Sequence, residues 1–306
     1  MIAPELRDEA QKARLAGMEP DGLTVFTLEG DSIRGALVTG TAMVSLMAAA
    51  HELGPLETMT LGQAYLAAAL LSSTIKGGDR LALRAEGSGP AGGFAVECNA
   101  AGSVRGRLFN APFDLSALGE RFESSAILGP GSISITRYPE GRDMEPVTGT
   151  AAARTGRLAE DLAYFFHISE QLRTSFSLSV HFDDAGRPAG AAGLYLQALP
   201  FASVEALDRV ERLVYGLPSL GESAARGMAR RAIAMQSFAF FDLNLLGEGR
   251  VAFDCPCERD RVRGFLAALP PDELADLKAN GPFPVELRCH NCNSVYRYEK
   301  REIEAL

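Results

Sequence analysis

The placement of the cysteines constrains this 306-residue chain more than any other feature of its sequence. Cys255 and Cys257 form a C-x-C pair, and 31 residues later Cys289 and Cys292 form a C-x-x-C pair. Two short cysteine pairs joined by a longer segment are typical of a metal site that clamps distant parts of a chain. The fifth cysteine, Cys98, lies in an apolar run, where a buried structural thiol is the usual outcome.

The predicted ligands of one metal ion are Cys255, Cys257, Cys289 and Cys292. Zinc accepts four thiolates tetrahedrally, and this complete set leaves no open position, so the metal would be structural rather than hydrolytic. Iron is the alternative, because four cysteines also suit an iron–sulfur centre. We expect His290, between two of the ligands, to face solvent.

Composition and charge narrow the classes of function. With 47% apolar and 23% charged residues the chain can bury a sizeable core, and its length suits about two domains. The net charge of −9 disfavours nucleic acid and anionic membranes as partners. No apolar stretch reaches the length of a bilayer span, and the first 17 residues do not resemble a signal peptide, so we expect a cytoplasmic protein.

The pattern along the chain predicts an α+β protein in three segments. Residues 1–200 form a core segment with antiparallel sheets and helices, in which a helix is expected near residues 41–51 and residues 60–75 are a strong helix candidate. Residues 201–250, broken by glycines and prolines and ending in a Phe/Leu cluster, form a metastable helical linker segment. Residues 251–306 form a C-terminal segment, which carries the cysteines, two helices and a hairpin.

One glycine-rich motif resembles a dinucleotide-binding loop, but its surroundings do not fit that function. Gly87 to Gly92 match G-x-G-x-x-G, but a dinucleotide site needs a helix directly after the glycines. The residues that follow, Phe94 to Cys98, alternate like a strand, so the motif predicts a hairpin loop.

The cysteine pattern and its surroundings resemble the redox-regulated thirty-three-kilodalton heat-shock chaperones. The resemblance includes Phe253 before the first pair and Tyr296-Arg297-Tyr298 after the last, and it extends upstream to Gly35, the Ala-rich helix, the Val96–Cys98 strand and residues 160–172. Glu258 departs from the pattern, because the family usually carries Ser after C-x-C.

This resemblance implies an ATP-independent holdase of the stress response, with no catalytic residues, that is inactive while reduced and zinc-bound. Oxidation converts the four cysteines to disulfides and releases zinc; the linker then unfolds and binds unfolding client proteins, with an oxidised homodimer as the active form. Two other functions stay open: a constitutive zinc-ribbon adaptor that binds protein or nucleic acid, and a thiol oxidoreductase that uses Cys289 and Cys292.

The spacing also predicts an order of oxidation. A turn can bring Cys289 and Cys292 within disulfide distance. Pro256 favours an extended backbone at Cys255, and extended residues i and i+2 lie about 6.6–7.2 Å apart, at or beyond the limit. We therefore expect the bond between Cys289 and Cys292 to close first.

Overall fold

A computed structural model describes residues 1–116, 118–119, 122–141 and 144–306. The helices are α1 (Glu9–Ala16), α2 (Thr41–His51), α3 (Pro55–Leu71), α4 (Ser125–Leu128), α5 (Leu158–Ser169), α6 (Val204–Gly216), α7 (Leu220–Ala225), α8 (Arg230–Ser237), α9 (Arg259–Ala267), α10 (Pro271–Asn280) and α11 (Lys300–Glu304). The strands are β1 (Gly22–Leu28), β2 (Ile33–Thr39), β3 (Arg80–Gly87), β4 (Gly93–Asn99), β5 (Ser103–Leu108), β6 (Gly131–Tyr138), β7 (Val147–Ala153), β8 (Thr174–Phe182), β9 (Pro188–Ala198), β10 (Leu243–Arg250), β11 (Ala252–Phe253), β12 (Val285–Arg288) and β13 (Val295–Tyr298).

The strands form three sheets, and the predicted α+β class with antiparallel sheets is confirmed. A five-stranded antiparallel sheet has the order β10-β1-β2-β9-β8. A six-stranded sheet has the order β11-β5-β4-β3-β6-β7 and is antiparallel except at β11. The third sheet is the hairpin β12-β13 near the C-terminus.

Helix α3 forms the centre of the main core, because it packs against strands of both large sheets. Small side chains such as Ala67 and Ala68 let the sheets approach it closely, and all of its residues from Ala64 to Leu71 are buried. The helix was expected from residue 60 but begins at Pro55. Proline fits the first turn because its φ is preset and the N–H it lacks would have no helical partner.

A second apolar core lies on the other face of the five-stranded sheet, under helices α6, α7 and α8. Alternate residues of the sheet point to this face, among them Phe26, Leu28 and Leu194. Phe26 lies over Gly35 of the neighbouring strand, where any side chain would collide with its ring. The first part of the linker segment thus consists of three short helices that cover an apolar sheet face.

The end of the linker segment is a strand that the sequence pattern did not predict. Strand β10 adds to the edge of the five-stranded sheet by pairing with β1. Its residues Gly247 and Gly249 disfavour a strand by local propensity, so the pairing with β1 decides the conformation.

The C-terminal segment contains helices α9, α10 and α11 and the hairpin, at positions close to those expected. It also reaches back to the core segment, because β11 pairs in parallel with β5. The Ala252 N–H donates to Gly102 O at 3.0 Å, and the Asp254 N–H donates to Val104 O at 3.0 Å. Within the described residues, no helix is both long and apolar enough to cross a membrane.

Candidate metal centre

The two cysteine pairs come from two short elements that local backbone geometry holds in place. Cys255 and Cys257 directly follow β11, with Pro256 between them. Cys289 and Cys292 lie in the turn between β12 and β13, which two hydrogen bonds close: the Cys289 N–H donates to Ser294 O at 2.9 Å and the Asn293 N–H donates to Cys289 O at 2.8 Å. The turn therefore points both cysteines of this pair to the same side.

The fold brings the four sulfur atoms together. All four lie within 4.8 Å of one another. The Sγ atoms of Cys255 and Cys289 are 3.8 Å apart, and those of Cys257 and Cys292 are 3.2 Å apart, so the cysteines are free thiols rather than disulfides.

This arrangement fits a tetrahedral metal ion. Four sulfurs bonded to one zinc at ~2.3 Å stand about 3.8 Å apart along each edge of the tetrahedron. The separation of 3.8 Å between the Cys255 and Cys289 sulfurs equals that edge, and the separation of 3.2 Å between the Cys257 and Cys292 sulfurs is shorter. Four sulfurs within 4.8 Å of one another are a complete donor set for such an ion. The cluster can hold a metal ion.

Polar groups of the hairpin surround the cluster. The Tyr296 hydroxyl donates to Cys257 O at 2.8 Å and lies 3.3 Å from Cys257 Sγ. The Ser294 hydroxyl lies 3.2 Å from Cys292 Sγ and accepts from the Ile2 N–H at 3.1 Å. Hydroxyl donors next to sulfur favour the charged thiolate, which is the form that binds metal.

The cysteines differ in exposure and acidity. Cys289 is half-buried, whereas Cys255, Cys257 and Cys292 are buried. Hydrogen bonds with the sulfhydryls of Cys255 and Cys292 lower the pKa of Cys289 to about 3. Cys289 is therefore the cysteine of the cluster that combines thiolate character with access to solvent.

The core segment supplies a cation to the cluster. Arg105 of β5 donates from Nη1 to Cys255 Sγ at 3.6 Å, and it forms an ion pair with Glu97 at 2.6 Å. Burial alone would lower the pKa of Arg105, but the bonds to Glu97 and Cys255 raise it above its usual value. The guanidinium therefore stays charged beside the sulfur.

Other residues of the core segment contact the second cysteine pair. Asn293 donates to Ala50 O at 2.7 Å, and the Gly106 N–H donates to Asn291 O at 3.2 Å. His51 Nε2 lies 3.4 Å from the same Asn291 oxygen. Burial lowers the pKa of His51, which favours the neutral form of the ring. The turn that carries Cys289 and Cys292 is thus fastened to the end of α2 and to β5.

Apolar contacts complete this docking. The ring of Phe253, just before the first cysteine pair, lies 6.0 Å from the ring of Tyr65 and 6.5 Å from that of His51, between centroids. The Tyr65 hydroxyl donates to Gly106 O at 3.0 Å. The cysteine site is therefore continuous with the core around α3 rather than isolated at the C-terminus.

The structure also places the residues that the sequence analysis set aside. Cys98 is buried in β4, away from the cluster, and burial raises the pKa of its thiol to about 12. His290 is exposed, as expected, and so is Glu258, the N-cap residue of α9. Gly87 ends β3 and Gly93 begins β4, so the glycine motif is a hairpin loop as predicted.

Sequence reasoning missed Arg105 and His51. An arginine on an alternating strand and a histidine at a helix end carry no local signal of a metal centre. The pairing of β11 with β5 brings Arg105 to the sulfur of Cys255, which is 150 positions away in the sequence. Other arginines, such as Arg107, lie on the same kind of alternating strand, so no local signal distinguishes Arg105 from them.

Comparison with protein families confirms the resemblance seen in the sequence. A family model described as "Hsp33 protein" matches residues 21–299. Among curated proteins, the "33 kDa chaperonin" of Desulforamulus reducens is 31% identical over 258 residues, which cover 84% of this chain and 86% of the relative. The "33 kDa chaperonin" of Symbiobacterium thermophilum is also 31% identical, over 90% of this chain and 92% of the relative.

The fold has a counterpart among solved structures. The crystal structure of the 33 kDa chaperonin from Thermotoga maritima superposes with a TM-score of 0.81 at 25% sequence identity. The match covers 94% of this chain and 97% of the other. The likeness therefore extends over the core segment, the linker segment and the C-terminal segment together.

Proposed function

Because this chain belongs to the Hsp33 family, whose members are chaperones and not enzymes, we propose that it is an ATP-independent holdase controlled by the redox state of its four-cysteine cluster. The observation that carries the proposal is the convergence of four free cysteine sulfurs within 4.8 Å. We take the bound metal to be one Zn²⁺ held by Cys255, Cys257, Cys289 and Cys292.

The metal would hold the C-terminal segment in its folded conformation. When bound, zinc neutralises and holds the four thiolates and contributes roughly 10–16 kcal/mol to the folding of a small domain. A whole domain is usually stable by only about 5–15 kcal/mol. Apart from the cysteines, the larger buried side chains of the C-terminal segment are those of Phe253, Leu266, Tyr296, Tyr298 and Ile303. This is a small core for about fifty residues, so we expect the segment to unfold when the sulfurs release the metal.

Oxidation is the step that would release it. Two thiolates give up two electrons as one S–S bond forms, and a peroxide accepts these electrons with two protons to yield two molecules of water. Four cysteines therefore consume two peroxides and form two disulfides. A disulfide sulfur is neutral and a poor ligand, so metal release accompanies the bond formation.

The linker segment connects this event to client binding. It ends at β10, directly before β11 and the first cysteine pair, so unfolding of the C-terminal segment removes an anchor from its end. Without α6, α7 and α8, the outer face of the five-stranded sheet is open to solvent. That face carries apolar side chains that are buried in the reduced form: Phe26, Leu28, Ile33, Leu37, Leu194 and Leu196.

An apolar surface of this kind suits unfolding proteins, which expose apolar side chains of their own. We propose unfolded client proteins as the partners and an oxidised homodimer as the active form. The same surface gives a reason for association, because two opened copies can each cover part of the other.

The test compares reduced and peroxide-treated protein in the light scattering of a heat-unfolded client, with metal content measured on both samples. We expect about one zinc per reduced chain, loss of that zinc on oxidation, and suppression of aggregation by the oxidised sample alone. Equal suppression by both samples contradicts the switch. A constitutive adaptor would instead lose partner binding on oxidation.

A further inference from the structure

Arg105 links the core segment to the cysteine cluster through a defined set of contacts. Its Nη1 donates to Cys255 Sγ at 3.6 Å, while Nη2 and Nε donate to Glu97 Oε2 at 2.6 and 3.1 Å. Glu97 and Arg105 lie directly opposite each other in the pairing of β4 with β5. The sheet therefore holds the guanidinium in place, with one N–H group left to reach the sulfur.

The charge of a metal-loaded cluster makes this contact significant. Four thiolates around one divalent cation carry a net charge of about −2, which is costly to bury without compensation. Tyr296 and Ser294 supply neutral hydroxyls. Among the residues that the structure describes, two cations contact Cys255: the Met1 ammonium donates to its carbonyl oxygen at 3.2 Å, and Arg105 donates to its sulfur. Arg105 belongs to the core segment rather than to the segment that carries the cysteines.

We propose that Arg105 is a positioning residue that couples the charge on the Cys255 sulfur to the docking of the C-terminal segment on the six-stranded sheet. The inference rests on the proposed function, because it describes how the redox state of the cluster reaches the core segment. The contact lies one strand position from the β11–β5 pairing, which is the backbone part of the same docking.

The consequence on oxidation follows from the chemistry of sulfur. Once Cys255 enters a disulfide, its sulfur carries no charge and is a weak acceptor, so Arg105 loses the partner that it had across the docking surface. Docking then weakens directly, in addition to any unfolding of the C-terminal segment. By linkage, the same coupling must raise metal affinity in the docked form, because each event favours the other by an equal factor.

Three substitutions in the full-length reduced protein separate charge from structure. Arg105→Gln removes the charge and keeps an N–H donor, and Arg105→Lys restores the charge. Arg107→Gln is the matched control, since Arg107 lies two residues along β5 and stacks on Phe109 instead of contacting the cluster. Circular dichroism of each variant checks that it is folded.

Two measurements do not depend on chaperone activity. Competition with a chromogenic chelator gives the zinc affinity, and we expect Arg105→Gln to lose about tenfold, within the range for partners of metal ligands. Hydrogen exchange reports docking through the amides of Ala252 and Asp254, which should exchange faster in Arg105→Gln. Arg105→Lys should recover most of both effects, and Arg107→Gln should match the unsubstituted protein.

A spectroscopic measurement isolates the contact itself. In protein loaded with Co²⁺, a charged donor lowers the energy of the sulfur lone pair more than a neutral donor does, so the sulfur-to-cobalt charge-transfer band should move to longer wavelength in Arg105→Gln. The inference is overturned if Arg105→Gln equals the unsubstituted protein in affinity, exchange and spectrum, or if Arg107→Gln shows the same changes. If the unsubstituted protein binds no metal, or gains no holdase activity on oxidation, the proposed function itself fails.

Discussion

The ring of Phe238, at the end of α8, lies 5.1 Å from the ring of Phe26 in β1, measured between centroids. This pair joins the linker segment to the first strand of the core segment. Phe238 is only 1% exposed, whereas Phe240, two residues further along, is 91% exposed. Of these two phenylalanines in the same apolar cluster, Phe238 is therefore buried and anchors the linker segment, whereas the side chain of Phe240 lies in solvent.

Replacement of that anchor should release the linker without oxidation. Phe238→Ala removes a fully buried ring, and such changes usually cost about 3–5 kcal/mol. We expect faster hydrogen exchange in α8 and β10 and some holdase activity in the reduced protein. Phe240→Ala is the matched control and should leave both unchanged. Indistinguishable behaviour of the two variants would show that the Phe26 contact does not hold the linker.

Arg230 is a second, polar anchor of α8. Its Nε donates to the Thr24 hydroxyl at 2.9 Å and its Nη1 donates to the Thr39 hydroxyl at 3.2 Å, and the side chain is buried against the sheet. Arg230→Met should lower the free energy of unfolding by about 2–3 kcal/mol, because both hydroxyls lose a charged partner. Arg231→Met, at an exposed neighbouring position, should lower the free energy of unfolding by less than about 0.5 kcal/mol.

Chemical unfolding followed by circular dichroism measures both variants. If Arg230→Met loses no more stability than Arg231→Met, Arg230 is not an anchor of the linker segment.

Asp21 should give stability a specific dependence on pH. Its carboxylate accepts from the Met43 N–H at 2.6 Å and the Ala42 N–H at 3.3 Å, at the start of α2. Burial nevertheless raises its pKa from 3.8 to about 6. The folded protein therefore binds more protons than the unfolded chain between about pH 4 and 6, so this carboxyl makes the free energy of unfolding fall as pH rises through that window.

Asp21→Asn isolates this effect, because the amide oxygen still accepts a hydrogen bond but does not titrate. Thermal unfolding of both proteins from pH 4.5 to 7 should show the unsubstituted protein losing stability relative to Asp21→Asn as pH rises. A constant difference across this range would contradict the raised pKa.

Cys289 should react first when the cluster is oxidised. It is half-buried, has a low pKa, and is three residues from Cys292 in the same turn. We expect timed treatment with limiting peroxide, followed by thiol trapping and mass spectrometry, to find the bond between Cys289 and Cys292 before any other. Cys98, buried with a pKa near 12, serves as the internal control and should stay reduced. An early bond between Cys255 and Cys257 would reject the order.

The sequence alone determined the features that depend on neighbouring residues and on short spacings. The C-x-C and C-x-x-C pairs indicated one four-sulfur site, and the alternation around Cys98 and the Ala-rich run around Leu66 indicated a strand and a helix. These predictions succeed because a turn, a helix or a strand is set largely by side chains within a few positions, and because four thiols are a complete donor set for a metal ion.

The tertiary structure alone decided which distant residues meet. No local pattern distinguishes Phe238 from Phe240, places the glycine-containing β10 beside β1, or selects Arg105 as the cation beside Cys255. The burial of Phe238 depends on how the end of α8 packs on the sheet, whereas the other two outcomes depend on strand register. A shift of register by one residue would turn Arg105 to the opposite face of its sheet. Register is set by the packing of the whole core around α3, so the contacts that connect the cysteine cluster to the rest of the molecule exist only in the folded chain.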